Sequence, residues 1–163
     1  MRVIKIDKNN QVNGDGLRCV VWFAGCKHKC HGCHNPETWD FNCGHDFNED
    51  DQKNIVKQLE SQEISGITLS GGDPIYQADE ITLWLKNIKE NFPNKDVWCY
   101  TGFLFEKIKD LPIMQHIDVL IDGRYEAALN PGVGKVLWRG STNQRIIDVQ
   151  QSLKTGKIVL LYE

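Results

Sequence analysis

The chain has 163 residues, 40% of them hydrophobic and 25% charged, with a formal net charge of −3 at pH 7. That length suits one domain, spanning 1–163, and a domain of this size buries roughly 70% of its unfolded surface, so its core needs no disulfide staples. No run of about 18 apolar residues is present to span a membrane, and no basic stripe with interleaved aromatics points to nucleic acid.

In chain order, Arg2–Ile6 and Cys19–Ala24 (CVVWFA) read as strands, the second almost continuously apolar as a buried strand should be. Asn48 is placed to cap a helix running to about Gln62, with Ile55, Val56 and Leu59 on one face. Gly66–Ser70 is the next strand. Residues 78–91 form the clearest helix, because Ile81, Trp84, Leu85, Ile88 and Phe92 keep helical spacing until Pro93 stops it. Asp96–Thr101 reads as a strand, Phe103–Lys109 as a short helix and Asp118–Asp122 as a strand. A helix near 147–155, stopped by Gly156, and a strand over KIVLLY complete the pattern.

Strands alternating with helices point to parallel βαβ units of about 30 residues each. A closed eightfold barrel needs about 250 residues. The expected fold class is therefore α/β, an incomplete (partial) parallel β/α barrel of about five to six units. In such folds the chemistry sits in loops at the C-terminal ends of the strands. The segments 25–36, 71–74 and 122–126 all fall there.

Of the six cysteines, Cys26, Cys30 and Cys33 are bunched as C-x3-C-x2-C. The amino terminus lacks the apolar stretch of an export signal, so a cytoplasmic protein is expected, and bunched cysteines there point to metal or redox chemistry. Three thiolates can each hold one iron of a 4Fe–4S cube and leave the fourth iron open to substrate. The same residues with His31 or His34 can make a Cys3His zinc site. With Cys19 or Cys43 they can make an electron-transfer cluster. Gly25 and Gly32 let the loop curl closely around an inorganic core. Cys19, Cys43 and Cys99 otherwise read as packing residues, and His45 and His116 as solvated or capping residues.

Gly71 and Gly72 end a strand, either as a turn needing positive φ or as a close backbone approach to a ligand. Asp73 before Pro74 is a turn cap or a ligand carboxylate. Asp122 and Arg124 flank Gly123, as a surface ion pair or as ligand contacts. Gly14 and Gly16 frame a tight loop near the mouth of the site. Arg139 is a lesser candidate for carboxylate or partner contact, and Ser141 and Asn143 read as turn residues.

C-x3-C-x2-C resembles the signature of radical S-adenosylmethionine (SAM) enzymes. NGDGLRCVVWFAGC before it and CHNPETWD after it resemble the glycyl-radical-enzyme activases of that superfamily. SGGDP (70–74) is similar to their Gly-Gly-acidic motif, and IDGRYE (121–126) with LWRGSTNQ (137–144) resembles the branch that activates anaerobic ribonucleotide reductases. The resemblance runs from about Val12 to about Arg145. It implies a partial barrel of the radical SAM type, with Cys26, Cys30 and Cys33 holding the 4Fe–4S cluster and SAM on the open iron. It also implies that Gly32, Cys33 and His34 touch SAM, and that Gly71, Gly72 and Asp73 receive its ammonium group. Asp122 and Arg124 resemble an Asp-x-Lys pair near SAM, with Arg in place of Lys to meet its carboxylate. One departure is Gly32, where many relatives carry an aromatic residue; His34 is the candidate to take over the adenine contact. The implied substrate is a glycine loop on the large subunit of anaerobic ribonucleoside-triphosphate reductase, and the implied donor is reduced flavodoxin. Lys27 and Lys29 are either its docking patch or a solvated loop. The runner-up is activation of a pyruvate formate-lyase type enzyme.

Overall fold

The fold is described from a computed structural model covering Met1 to Tyr162. It is a mixed α/β arrangement around one eight-stranded sheet: β1 (Arg2–Asn10), β2 (Leu17–Phe23), β3 (His45–Asp46), β4 (Ile64–Gly71), β5 (Asp96–Tyr100), β6 (Val119–Asp122), β7 (Arg145–Asp148) and β8 (Leu160–Tyr162), in spatial order β3-β1-β2-β4-β5-β6-β7-β8. The helices are α1 (Glu49–Leu59), α2 (Ala78–Asn91), α3 (Phe105–Ile108) and α4 (Val149–Thr155).

The centre β2-β4-β5-β6 is parallel, and β1, β3, β7 and β8 are antiparallel additions at the two flanks. The parallel part is thus smaller than five to six units. The physical reason at the amino end is loop length: residues 11–16 alone join β1 to β2, whereas a parallel crossover needs a dozen or more.

Local chemistry explains the helix borders. Asn48 accepts hydrogen bonds from the Asp50 and Asp51 amides while the Asp51 side chain takes the Asn48 amide, a full capping box at the start of α1. Helix α2 covers Ala78–Asn91, as its periodicity predicts. Gly156, at φ 70°, ends α4 in the left-handed conformation. The helix expected near 147 begins at Val149 instead, because Arg145–Asp148 pairs with β6 as a strand and Asp148 caps the helix. His45 also differs from expectation: it lies on β3 and its Nε2 is 2.9 Å from Asp51 Oδ2.

Both faces of the sheet are covered, so its central strands read as nearly unbroken apolar runs. On one face Cys19, Val21 and Phe23 of β2, Ile67 and Leu69 of β4 and Val97 of β5 pack with Ile55 and Leu59 of α1 and Ile81, Leu85 and Ile88 of α2. On the other, Trp98, Val119, Ile121 and Ile146 form a second cluster with Tyr100 and Trp138 against it. Arg18 is fully buried. Its guanidinium donates to Thr68 Oγ1 (2.7 Å), the Ile67 carbonyl (2.8 Å) and Asp96 Oδ1 (2.6 Å), 5.2 Å from the Trp98 ring centre. No helix among the described residues is long and apolar enough to cross a membrane.

Candidate functional site

Strands β2 and β4 run side by side, with Trp22 opposite Ser70 and Phe23 opposite Gly71. The loops that follow them leave the sheet together. Gly72 N donates to the Phe23 carbonyl (2.8 Å) and Asp73 N to the Gly25 carbonyl (2.9 Å). The ladder between the strands thus extends into the loops and joins the cysteine segment to the SGGDP turn. A cavity of about 570 Å³ opens there, at the C-terminal ends of the parallel strands. Cys26, Cys30, Cys33, His34, Gly71 and Gly72 all line it.

The cysteine loop is curled by three residues at positive φ: Gly25 (96°), Lys29 (49°) and Gly32 (72°). A non-glycine residue there costs on the order of 1 kcal/mol, which surrounding structure must impose. The loop is pinned at its root, where Gly25 N and Cys26 N donate to the carbonyls of Thr38 and Trp39 at 2.8 and 3.1 Å. Burial raises the Cys26 thiol pKa, opposed by the backbone amides of His28 and Lys29. Asn35 N lies 3.4 Å from Cys33 Sγ. Amides aimed at sulfur suit thiolates holding an iron–sulfur cluster.

No three cysteine, histidine, aspartate or glutamate side chains among the described residues converge to hold a single metal ion. A tetrahedral zinc, with Zn–S bonds of about 2.3 Å, needs that convergence; a cube carries its thiolates on separate irons. The geometry therefore does not favour the Cys3His module. Cys19 and Cys99 are fully buried, and burial pushes the Cys19 thiol up to about 12, far from the thiolate a fourth ligand must be.

The remaining expected residues fall at different distances from the cavity. Gly32 lies beside it, where an added Cβ would sit 3.2 Å from Ala127 Cβ, and the His34 ring rests 4.7 Å from the Tyr125 ring. The missing side chains of Gly71 and Gly72 face protein: a Cβ would meet Phe23 O at 2.3 Å and Gly25 O at 2.4 Å respectively. Asp73 is buried, 1% exposed, and caps the turn that follows it. Asp122 is also fully buried and does not line the cavity; it accepts from Phe105 N (2.8 Å) and from Arg145 Nε (2.9 Å). Arg124 is exposed and lies outside the lining. Arg139 does line the cavity, and its Nε is buried without a partner.

Sequence reasoning missed Trp39, Tyr100, Thr101, Tyr125, Trp138 and Gln144, which complete the wall. Thr101 could have been found by the rule already in use, since it directly follows β5. Tyr100 closes β5, and Trp39, Tyr125, Trp138 and Gln144 lie within motifs noted in the sequence but not singled out as site residues.

The family described as a 4Fe-4S single cluster domain matches residues 12–147. An anaerobic ribonucleoside-triphosphate reductase-activating protein from Enterobacteria phage T4 is 44% identical over 137 residues, covering 83% of this chain and 86% of the relative. Proteins of the same name from Pasteurella multocida and Escherichia coli K12 are 36% identical over 154 residues (90% and 96% of the two chains) and 35% over 139 residues (82% and 89%).

Proposed function

The chain belongs to the anaerobic ribonucleoside-triphosphate reductase-activating proteins, and from that premise we propose that its cavity binds SAM against a 4Fe–4S cluster held by Cys26, Cys30 and Cys33. It is an activating enzyme, an iron–sulfur oxidoreductase. Cys26, Cys30 and Cys33 would hold the cluster, which would supply one electron to SAM; cleavage of the SAM C–S bond, with methionine as leaving group, would supply the group that abstracts a hydrogen atom from a backbone glycine of the reductase. The chain's own residues bind, orient and exclude water.

The observation that carries this reading is the meeting of the three cysteines, His34 and the Gly71–Gly72 backbone around one cavity. A wall with both apolar and polar surface suits SAM, whose adenine is flat and whose methionyl end is charged. Cys33, Gly32 and His34 are the segment assigned to the adenine, with Tyr125 backing the His34 ring. Backbone at Gly71 and Gly72, with the Asp73 charge behind it, is assigned to the ammonium end. Arg139, which lines the cavity, is assigned to the SAM carboxylate in place of Arg124, which lies outside the lining. The sheet, with its parallel centre, is read as the partial barrel of the radical SAM type, and its open end as the approach for a glycine loop of the reductase's large subunit. Reduced flavodoxin is the assigned donor and the cytoplasm the assigned location.

The test is anaerobic purification with and without iron and sulfide reconstitution. A brown protein with four irons per chain is expected, with a paramagnetic resonance spectrum that changes on adding SAM and a glycyl radical once reductase is present. Alanine at Cys26, Cys30 or Cys33 should abolish the cluster, whereas alanine at Cys19, Cys43 or Cys99 should leave it. A colourless, zinc-loaded protein with no response to SAM would falsify the proposal.

A further inference from the structure

Positions 27–32 of the cysteine loop are held to the rest of the protein by very little. Lys27, Lys29, His31 and Gly32 are exposed. Among the described residues, one hydrogen bond between side chains leaves this stretch for the body of the protein: His28 Nε2 to Asp73 Oδ2, at 2.8 Å. The His28 side chain is 6% exposed and that of Asp73 1%. The imidazole sits edge-on to the Phe103 ring at 4.6 Å and tilted over Tyr76 at 5.6 Å. A Cβ at Gly102 would lie 2.5 Å from His28 Cδ2, so glycine at 102 is what admits the ring.

The Asp73 carboxylate is fully engaged. Oδ1 accepts from Ile75 N (3.0 Å), and Oδ2 accepts from Thr101 Oγ1 (2.9 Å), Gly102 N (2.9 Å) and His28. Four donors on a side chain only 1% exposed leave little room for a ligand ammonium to reach the carboxylate. Thr101 and Gly102 come from the end of β5, so one buried carboxylate joins the loops after β2, β4 and β5.

We propose that His28 is a positioning residue for the cluster: it docks the middle of the cysteine loop on Asp73, and Asp73 serves as the anchor of that loop, not as a direct ligand of the SAM ammonium. This rests on the cluster-binding part of the function above and not on the identity of the reductase. The pair fixes where Cys26 and Cys30 present their thiolates relative to the SGGDP turn. A hydrogen bond between two side chains that are 6% and 1% exposed has the directionality for that task.

The experiment uses full-length protein reconstituted anaerobically, as wild type, His28→Ala, His28→Gln, Asp73→Asn, Gly102→Ala and the His28→Ala/Asp73→Asn double variant. The first readout is iron release to a chelator, without SAM or reductase. His28→Ala and Asp73→Asn should each release iron about tenfold faster, the scale of one charge-assisted hydrogen bond. The double variant should be no faster than the worse single one. Gly102→Ala, which displaces the ring, should match His28→Ala, and His28→Gln, which keeps an N–H donor, should recover part of the loss. Melting of each metal-free protein is measured alongside, so that iron release is compared under conditions where every variant is fully folded. Should His28→Ala fail to fold, His28→Leu against His28→Gln carries the same comparison.

The second readout is SAM affinity from the resonance spectrum of the reduced cluster. Anchoring predicts the same weakening in His28→Ala and Asp73→Asn. Wild-type iron retention in His28→Ala, effects that multiply in the double variant, or loss of SAM binding confined to Asp73→Asn would each overturn the proposal. Failure of the functional reading is distinguishable: it shows as a wild-type protein without a cluster or without a SAM response.

Discussion

Asp122 and Arg145 stand directly opposite each other across the antiparallel β6–β7 ladder, and the guanidinium clasps both oxygens of a carboxylate that has no exposed surface. The other edge of the guanidinium holds Glu106 at 3.0 and 2.8 Å. Arg145→Ala leaves a buried carboxylate uncompensated and should cost about 3–5 kcal/mol. Arg145→Lys, with a single point charge in place of a fork, should recover only part. Denaturant unfolding of the metal-free protein measures both; a loss below about 1 kcal/mol in Arg145→Ala would sink the account.

The same arginine gives the fold a pH-dependent contact outside the cavity. Its hydrogen bonds hold Glu106 at about 2, below the ordinary carboxylate range. A carboxyl lowered on folding contributes stability in full above its unfolded value and loses it as pH falls through the folded one. The difference between wild type and Glu106→Gln should therefore be constant near neutrality and shrink between about pH 4.5 and pH 2. Since the Glu106 side chain is half exposed, the full difference should be no more than about 1 kcal/mol. Parallel stability curves for the two proteins across that window would refute the assignment.

Gly72 carries a packing constraint. A methyl group there would lie 2.4 Å from Gly25 O and 2.9 Å from Thr38 O, both backbone atoms that cannot swing away. Gly72→Ala should cost about 1–3 kcal/mol, as overpacking does, and loosen the cluster by pushing the cysteine loop outward. Gly32→Ala meets nothing closer than 3.2 Å and bears only the strain of its positive φ, about 1 kcal/mol. Equal stability for Gly72→Ala and wild type would contradict this ordering.

Lys27 and Lys29 are exposed on the cysteine loop, with Lys27 Nζ 5.8 Å from the Phe41 ring centre and 5.9 Å from that of Tyr76. If they receive an acidic flavodoxin, replacing both with Glu should slow cluster reduction by flavodoxin severalfold at low salt and leave reduction by dithionite unchanged. Equal slowing with both donors would remove the docking role.

Much of the architecture was legible because local signals agreed. Helix α2 combined helical spacing with a stop at Pro93, and Asn48 announced the start of α1. Strands β1 and β8 at the flanks were legible as strands, but β7 was not, because it has only two apolar residues, Ile146 and Ile147, between charged ones. In the site, the cysteines declared themselves by spacing and the two glycines by their place after a strand. Partners that meet only through the sheet left no local trace: His28 and Asp73 are 45 positions apart, Asp122 and Arg145 23. Arg18 is the plainest case, a charge inside an apolar strand whose compensation comes from β4 and the start of β5.

The pairing of Phe23 with Gly71, continued by Gly72 N on Phe23 O, makes the β2–β4 ladder a ruler for two loops at once. A slip of one residue would displace one loop by about 3.3 Å against the other and turn its side chains to the opposite face. The alignment of thiolates with the neighbouring turn is thus inherited from the register of the β2–β4 ladder. Mutations deep in that ladder, far from any cofactor, should detune the chemistry before they unfold the protein.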